Sequence, residues 1–314
     1  GDELKTQWYA DEEGTIFFHD HITGISDVMN GSFCGLIVEP PNATWRDPFS
    51  GEEIRSGAQA IIENPDGEYF REIGLHLQDF AQLRKRNGEF VNPDIQHNEN
   101  AGTMAINYRN APYYERDDFD PAYVHSSAAH GDPPTPLFEA YEGDPVRFRV
   151  AQGSYEEFHN FQIHGGQFSI DAEGLAPEDT TSQIVGTSEA FTFSLVADNG
   201  FDHLDNTAGL PIGDHLYGSS ITTDLWDGMW GIFRTLGGEV DHLQPLPDRG
   251  PPSDTIDEDD LEAMGHPAPH ADFDWSDYGQ QARLLYANDD DEEYPPDRDD
   301  RQNGDLPDEP PAEA

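Results

Sequence analysis

Short apolar runs and strict alternation, rather than helical stripes, run through most of this chain. Val146, Phe148 and Val150 alternate with Arg147 and Arg149, the period of a strand with one buried face. Runs at 15–18 and 36–38 read as buried strands. Further strand candidates lie at 70–80, 105–108, 136–140, 145–150, 159–164, 191–195 and 231–234. Helical signals are sparse, with one turn at 224–229. The pattern predicts an all-β body, with a readable sandwich over residues 69 to 236. Residues 1 to 40 carry only about three strand candidates, where a sandwich needs roughly seven, so they read as the end of one. The stretch 87–121 is long for a loop, and loops of that length in β-sandwiches often wrap a neighbouring domain. After residue 250 Asp, Glu and Pro dominate, as at 254–260 and 289–293, and such like-charge blocks stay extended. Trp275, Tyr278, Leu284, Leu285 and Tyr286 interrupt the acidic stretch, so part of it has the means to dock. No internal repeat is visible.

Composition narrows the function classes. The formal net charge of −48 comes from 64 Asp and Glu against 16 Lys and Arg, and only Lys5 and Lys85 are lysines. That surface repels nucleic acid and anionic lipid. A content of 35% hydrophobic and 11% aromatic residues in 314 argues for a folded core rather than a disordered acidic chain. An acid-coated body suits molar salt, where screening removes most self-repulsion, and so a halophilic source. Cys34 is the only cysteine, which excludes an internal disulfide; its Gly/Phe setting reads as a small core position. No apolar run approaches the ~20 residues that span a bilayer. Asn30-Gly31-Ser32 and Asn42-Ala43-Thr44 are N-glycosylation sequons, a hint of export.

The chemistry concentrates in histidines. His19-Asp20-His21 places two imidazoles two residues apart, on one face of an extended strand. Neutral imidazole suits copper and similar borderline metals. A second group, His159 and His164, follows the strand candidate at 145–150. His76 alternates with Leu75 and Leu77 and reads as a surface position. Read together, the two groups resemble the copper-binding loops of multicopper oxidases, which are built from cupredoxin β-sandwiches. The likeness runs from about residue 7 to 236, through landmarks around Trp45, Phe70, Met104, His130, Tyr141 and Trp226. It is strongest to the large manganese-oxidase-like branch.

The resemblance implies cupredoxin-like antiparallel Greek-key β-sandwiches: a partial one at 1–45, a connector at 46–65, a fuller one at 66–240, and an acidic tail at 241–314. It implies that His19 and His21 bind the two type 3 coppers of a trinuclear centre. His159, Gln162 and His164 fall where a type 1, a type 2 and a type 3 ligand stand, with His159 and His164 at one end of the sandwich. His130, in another landmark, is a further ligand candidate. Two departures matter. Gln162 replaces a histidine, and the fourth loop, expected as His-Cys-His, reads Gly218-Ser219-Ser220 before Gly228-Met229-Trp230. Without a thiolate this sandwich lacks a type 1 copper, and the alternative role for His159 and His164 is packing or hydrogen bonding. Asp198 to Asp202 has the look of a hard-cation loop, a match that so acidic a chain produces by chance. The expected function is a copper-dependent oxidoreductase component that couples oxidation of a metal ion or phenolic substrate to reduction of dioxygen. The alternative is a non-catalytic copper-binding or structural module. Either way, the wet apolar strands of residues 1 to 40 call for another polypeptide to complete the first sandwich and the copper centre. Relatives of this kind act outside the cytoplasm, so the expected location is extracellular or at the cell surface.

Overall fold

A computed structural model describes residues 5–23, 27–28, 30–81, 86–88, 103–116, 121–154, 156–170, 179–197 and 210–251. In chain order the strands are β1 (Gly14–His19), β2 (Phe33–Val38), β3 (Thr44–Arg46), β4 (Gln59–Glu63), β5 (Tyr69–Ala81), β6 (Thr103–Ile106), β7 (Phe138–Tyr141) and β8 (Asp144–Gln152). They continue as β9 (His159–Ile163), β10 (Phe168–Ile170), β11 (Asp179–Thr180), β12 (Ser182–Val185), β13 (Ala190–Ala197), β14 (Gly213–Ser219) and β15 (Trp230–Leu236). Among the described residues short helices interrupt them, including α1 (Ser127–His130) and α2 (Thr222–Trp226). The molecule is all-β, as the apolar patterning predicts.

Two sheets face each other. One has eight strands in the order β11-β10-β13-β8-β5-β4-β3, with β6 also on β5; the other runs β12-β9-β14-β15-β7. Between them lie Leu75, Val146, Phe148 and Phe193 from the first sheet and Phe138, Phe161, Tyr217 and Phe233 from the second. Phe161 and Phe193 stack with centroids 5.2 Å apart. Each such buried side chain contributes ~1.5–3 kcal/mol, which is why alternating large apolar residues define this body. The sheets are not purely antiparallel: β5 pairs with β8, and β7 with β15, in parallel. The chain changes sheets at the turn between β7 and β8, so each of these two strands meets a neighbour distant in sequence. Residues 59–63, within the expected connector, form β4 and pair with β5.

The hairpin β1–β2 forms its own two-stranded sheet, with His19 opposite Phe33. Its inner face rests on the eight-stranded sheet. Thr15 Oγ1 lies 3.3 Å from Thr192 Oγ1, and the Phe33 ring fills the space where a side chain on Gly153 would stand. Beneath it Arg149 donates to Glu72 at 3.0 Å and to Thr192 at 2.8 Å, and also holds Glu39. A buried charge is tolerated only when paired in this way. The outer face presents Ile16, Phe18 and Leu36, each 41% exposed, with Trp8 edge-on to Phe18. Cys34 opens onto that face, contrary to the core position expected of it. His76 is also placed differently: it packs under the hairpin, with its ring 5.7 Å from Phe33, and burial lowers its basicity. The residues from 252 onward and Asp198 to Asp202 lie outside the described residues, as does most of 87–121.

Candidate metal centre

His19 closes β1 and His21 follows it in an exposed loop. Their rings stand 5.2 Å apart, nearly perpendicular. The His19 ring stacks on Phe17 at 5.0 Å, and its Nδ1 lies 3.0 Å from the carbonyl of Asp20. A hydrogen bond to that carbonyl puts the proton on Nδ1 and leaves Nε2 as the ligating nitrogen. Asp20 turns away: its carboxylate caps the backbone amides of Ile22 and Thr23 at 3.0 and 3.2 Å. Two imidazoles therefore lie side by side at the hairpin end.

His159 is different. It opens β9 and is fully buried. Its Nδ1 lies 2.8 Å from Asp224 Oδ2 and its Nε2 lies 2.7 Å from Ser154 Oγ. Asp224 sits in α2, and its Oδ2 also accepts the Ser219 hydroxyl at 2.6 Å. That hydroxyl in turn accepts the amides of Ile221 at 3.3 Å and Asn160 at 3.4 Å. Gly218 makes the arrangement possible. Its φ is +140°, and a Cβ there would stand 2.3 Å from the Met229 carbonyl oxygen. Ser154, Ser219 and Asp224 were not expected as partners of His159. Only Ser219 had a sequence signal, as the residue in the place of a cysteine.

His164 follows the other end of β9. Five residues at ~3.3 Å each separate it from His159, so the expectation that the two share an end of the sandwich is wrong. His164 is solvent-exposed, although partial desolvation still lowers its basicity. Near it lies His125, whose ring meets Trp230 edge-on at 4.5 Å. Burial, then the Arg116 guanidinium, then His164 hold His125 down at about 4. Its Nδ1 is buried without a hydrogen-bond partner, as is Nε2 of His130 at the end of α1. The cationic Arg116, 5.3 Å over the same Trp230 ring, makes this end a poor place for a metal cation. His215 and His242 are structural, facing the carbonyls of His164 and Pro211 and the Glu139 carboxylate respectively. Among the described residues, no three His, Cys, Asp or Glu side chains gather in a group able to hold a metal ion.

No family model matches the chain, and no curated protein does. Solved structures do. A copper nitrite reductase from Nitrosomonas europaea is 16% identical with a TM-score of 0.45, covering 77% of this chain and 67% of its own. A blue copper oxidase from the same organism is 17% identical with a TM-score of 0.41, covering 72% of this chain and 57% of its own. A copper-containing nitrite reductase from Thermus scotoductus is 15% identical with a TM-score of 0.42, covering 76% and 44%. All three are copper proteins by their descriptions. The chain spans less than two thirds of the second and third of them. Likeness at this level concerns the course of the strands, so the chemistry has to be read from the chain's own side chains.

Proposed function

We propose that this chain is a copper-binding component of a multicopper oxidase-like assembly, acting outside the cytoplasm of a halophile. The observation that carries the reading is the His19/His21 pair: two imidazoles side by side at a strand end, one with its tautomer set by a carbonyl. Two imidazoles fit a copper ion but do not complete its coordination, so the remaining ligands come from another polypeptide or subunit. Copper held there supplies one-electron chemistry toward dioxygen, with a metal ion or phenolic compound as reductant. This chain's own part is to orient the two rings. The β1–β2 pairing fixes the height of His19, the stacked Phe17 restricts its ring, and the Asp20 carboxylate stiffens the following turn that carries His21. The outer apolar stripe of Ile16, Phe18 and Leu36 beside this end suits a partner that buries it.

A second reading, a non-catalytic module, is favoured by the absence of a three-ligand group among the described residues. One experiment separates the two. Native protein is purified in molar salt, and its copper content and oxidase activity are compared with those of a His19→Ala/His21→Ala variant. Loss of both copper and oxygen consumption supports the oxidase component. Copper bound without any oxygen consumption supports the module, and unchanged copper in the variant rejects the site. Asn42 adds a check on location. It is exposed in a turn at φ 73°, open to a glycosyltransferase, and a glycan on it in the native protein is the expected finding by mass spectrometry.

A further inference from the structure

At the start of β9 His159, Ser219 and Asp224 are joined by hydrogen bonds, with the Met229 amide on the Asp224 carbonyl, a set with the wrong chemistry for a type 1 copper site. Such sites use two imidazoles, a thiolate and a weak axial thioether. Here a hydroxyl stands for the thiolate and a carboxylate for the second imidazole. All four residues are at most 2% exposed. We infer that this position is a metal-free lock, in which the Asp224 carboxylate ties His159 and Ser219 directly to each other. Four contacts close it. Nδ1 of His159 is held at 2.8 Å by Asp224, and its Nε2 at 2.7 Å by Ser154. The Ser219 hydroxyl donates to Asp224 at 2.6 Å, and the Asp224 carbonyl accepts the Met229 amide at 2.8 Å. Both ring nitrogens are thus committed within the protein. A copper ion would have to displace the carboxylate and would find one imidazole among hard oxygen donors, with no thiolate. Oδ1 of Asp224 alone has no protein partner, and one oxygen is no coordination site.

Ser154, His159 and Asp224 are linked in the order of a hydrolase triad, but Ser154 is 1% exposed, so no substrate meets it. The work of the cluster is mechanical. It joins the β8–β9 loop, the end of β14 and α2, the three segments a metal would otherwise cross-link. In the assembly proposed above, electrons then do not enter through this sandwich.

The test uses the full chain in molar salt. His159→Gln and Ser219→Ala should leave bound copper unchanged while lowering the melting temperature by roughly 4–8 °C through lost buried hydrogen bonds. A drop in bound copper in either variant, or labelling of Ser154 in the wild type by a fluorophosphonate, overturns the lock. Should His159→Gln not fold, Ser219→Ala alone carries the decision, since it removes one hydroxyl from a formed site. The paired change Ser219→Cys with Asp224→His should create the intense visible absorption of a thiolate–copper bond on adding Cu²⁺. No such band in a folded, copper-exposed variant also counts against the inference. The melting-temperature, labelling and absorption readouts do not depend on copper at His19 and His21, which the alanine pair above tests separately.

Discussion

His125 offers the clearest effect of a single side chain. Its folded value of about 4 lies below the ordinary 6.5, so the fold binds fewer protons than the unfolded chain between those values. Stability therefore falls as pH drops through that window. His125→Gln should flatten the pH dependence of the melting temperature between pH 6.5 and 4; an identical slope in the variant would reject this assignment. Gly218→Ala should destabilise by upwards of about 2 kcal/mol in denaturant titration, because φ is positive and the added carbon meets a backbone oxygen. At this scale the spacing of His19 and His21 foretold neighbouring rings, although His21 lies past the strand on which the two were expected to share a face. The sequence was silent about Ser154 and Asp224. These lie five and 65 positions from His159, and only the folded sheets bring them to its ring.

Elements with β-branched and aromatic alternation, such as β8 and β13, could be read directly from the residue pattern. β14 could not: Gly213-Asp214-His215-Leu216-Tyr217-Gly218-Ser219 carries glycine near both ends and a buried histidine, so no alternation stands out. β3 and β4 sit among Pro, Gly and Asn and read as connector, yet Ile61 and Ile62 bury against the sheet. The hairpin β1–β2 depends on Phe33, which stacks on Tyr108 at 5.3 Å and covers Gly153. Phe33→Ala should remove about 3 kcal/mol of packing and free the hairpin before the sandwich opens. Hydrogen exchange should then quicken in residues 14–19 and 33–38 while β8 stays protected. Uniform loss of protection would mean that the hairpin and the body unfold as one.

For the whole molecule, charge sets the working conditions. With a net charge of −48, self-repulsion opposes compaction at low ionic strength, and salt relieves it. The melting temperature should rise steadily as sodium chloride is raised from dilute to molar; a flat profile would remove the case for a halophilic source. The parallel pairing of β5 with β8 has a further consequence, in the order of events during synthesis. Arg71 lies opposite Val146, so the central strand of the larger sheet waits for a partner made some 75 residues later. Until then the newly made β4–β5 ribbon exposes Phe70, Ile73, Leu75 and Leu77 with one long edge open. Nascent chains stalled before residue 144 should bind chaperones strongly and release them once residue 152 has emerged.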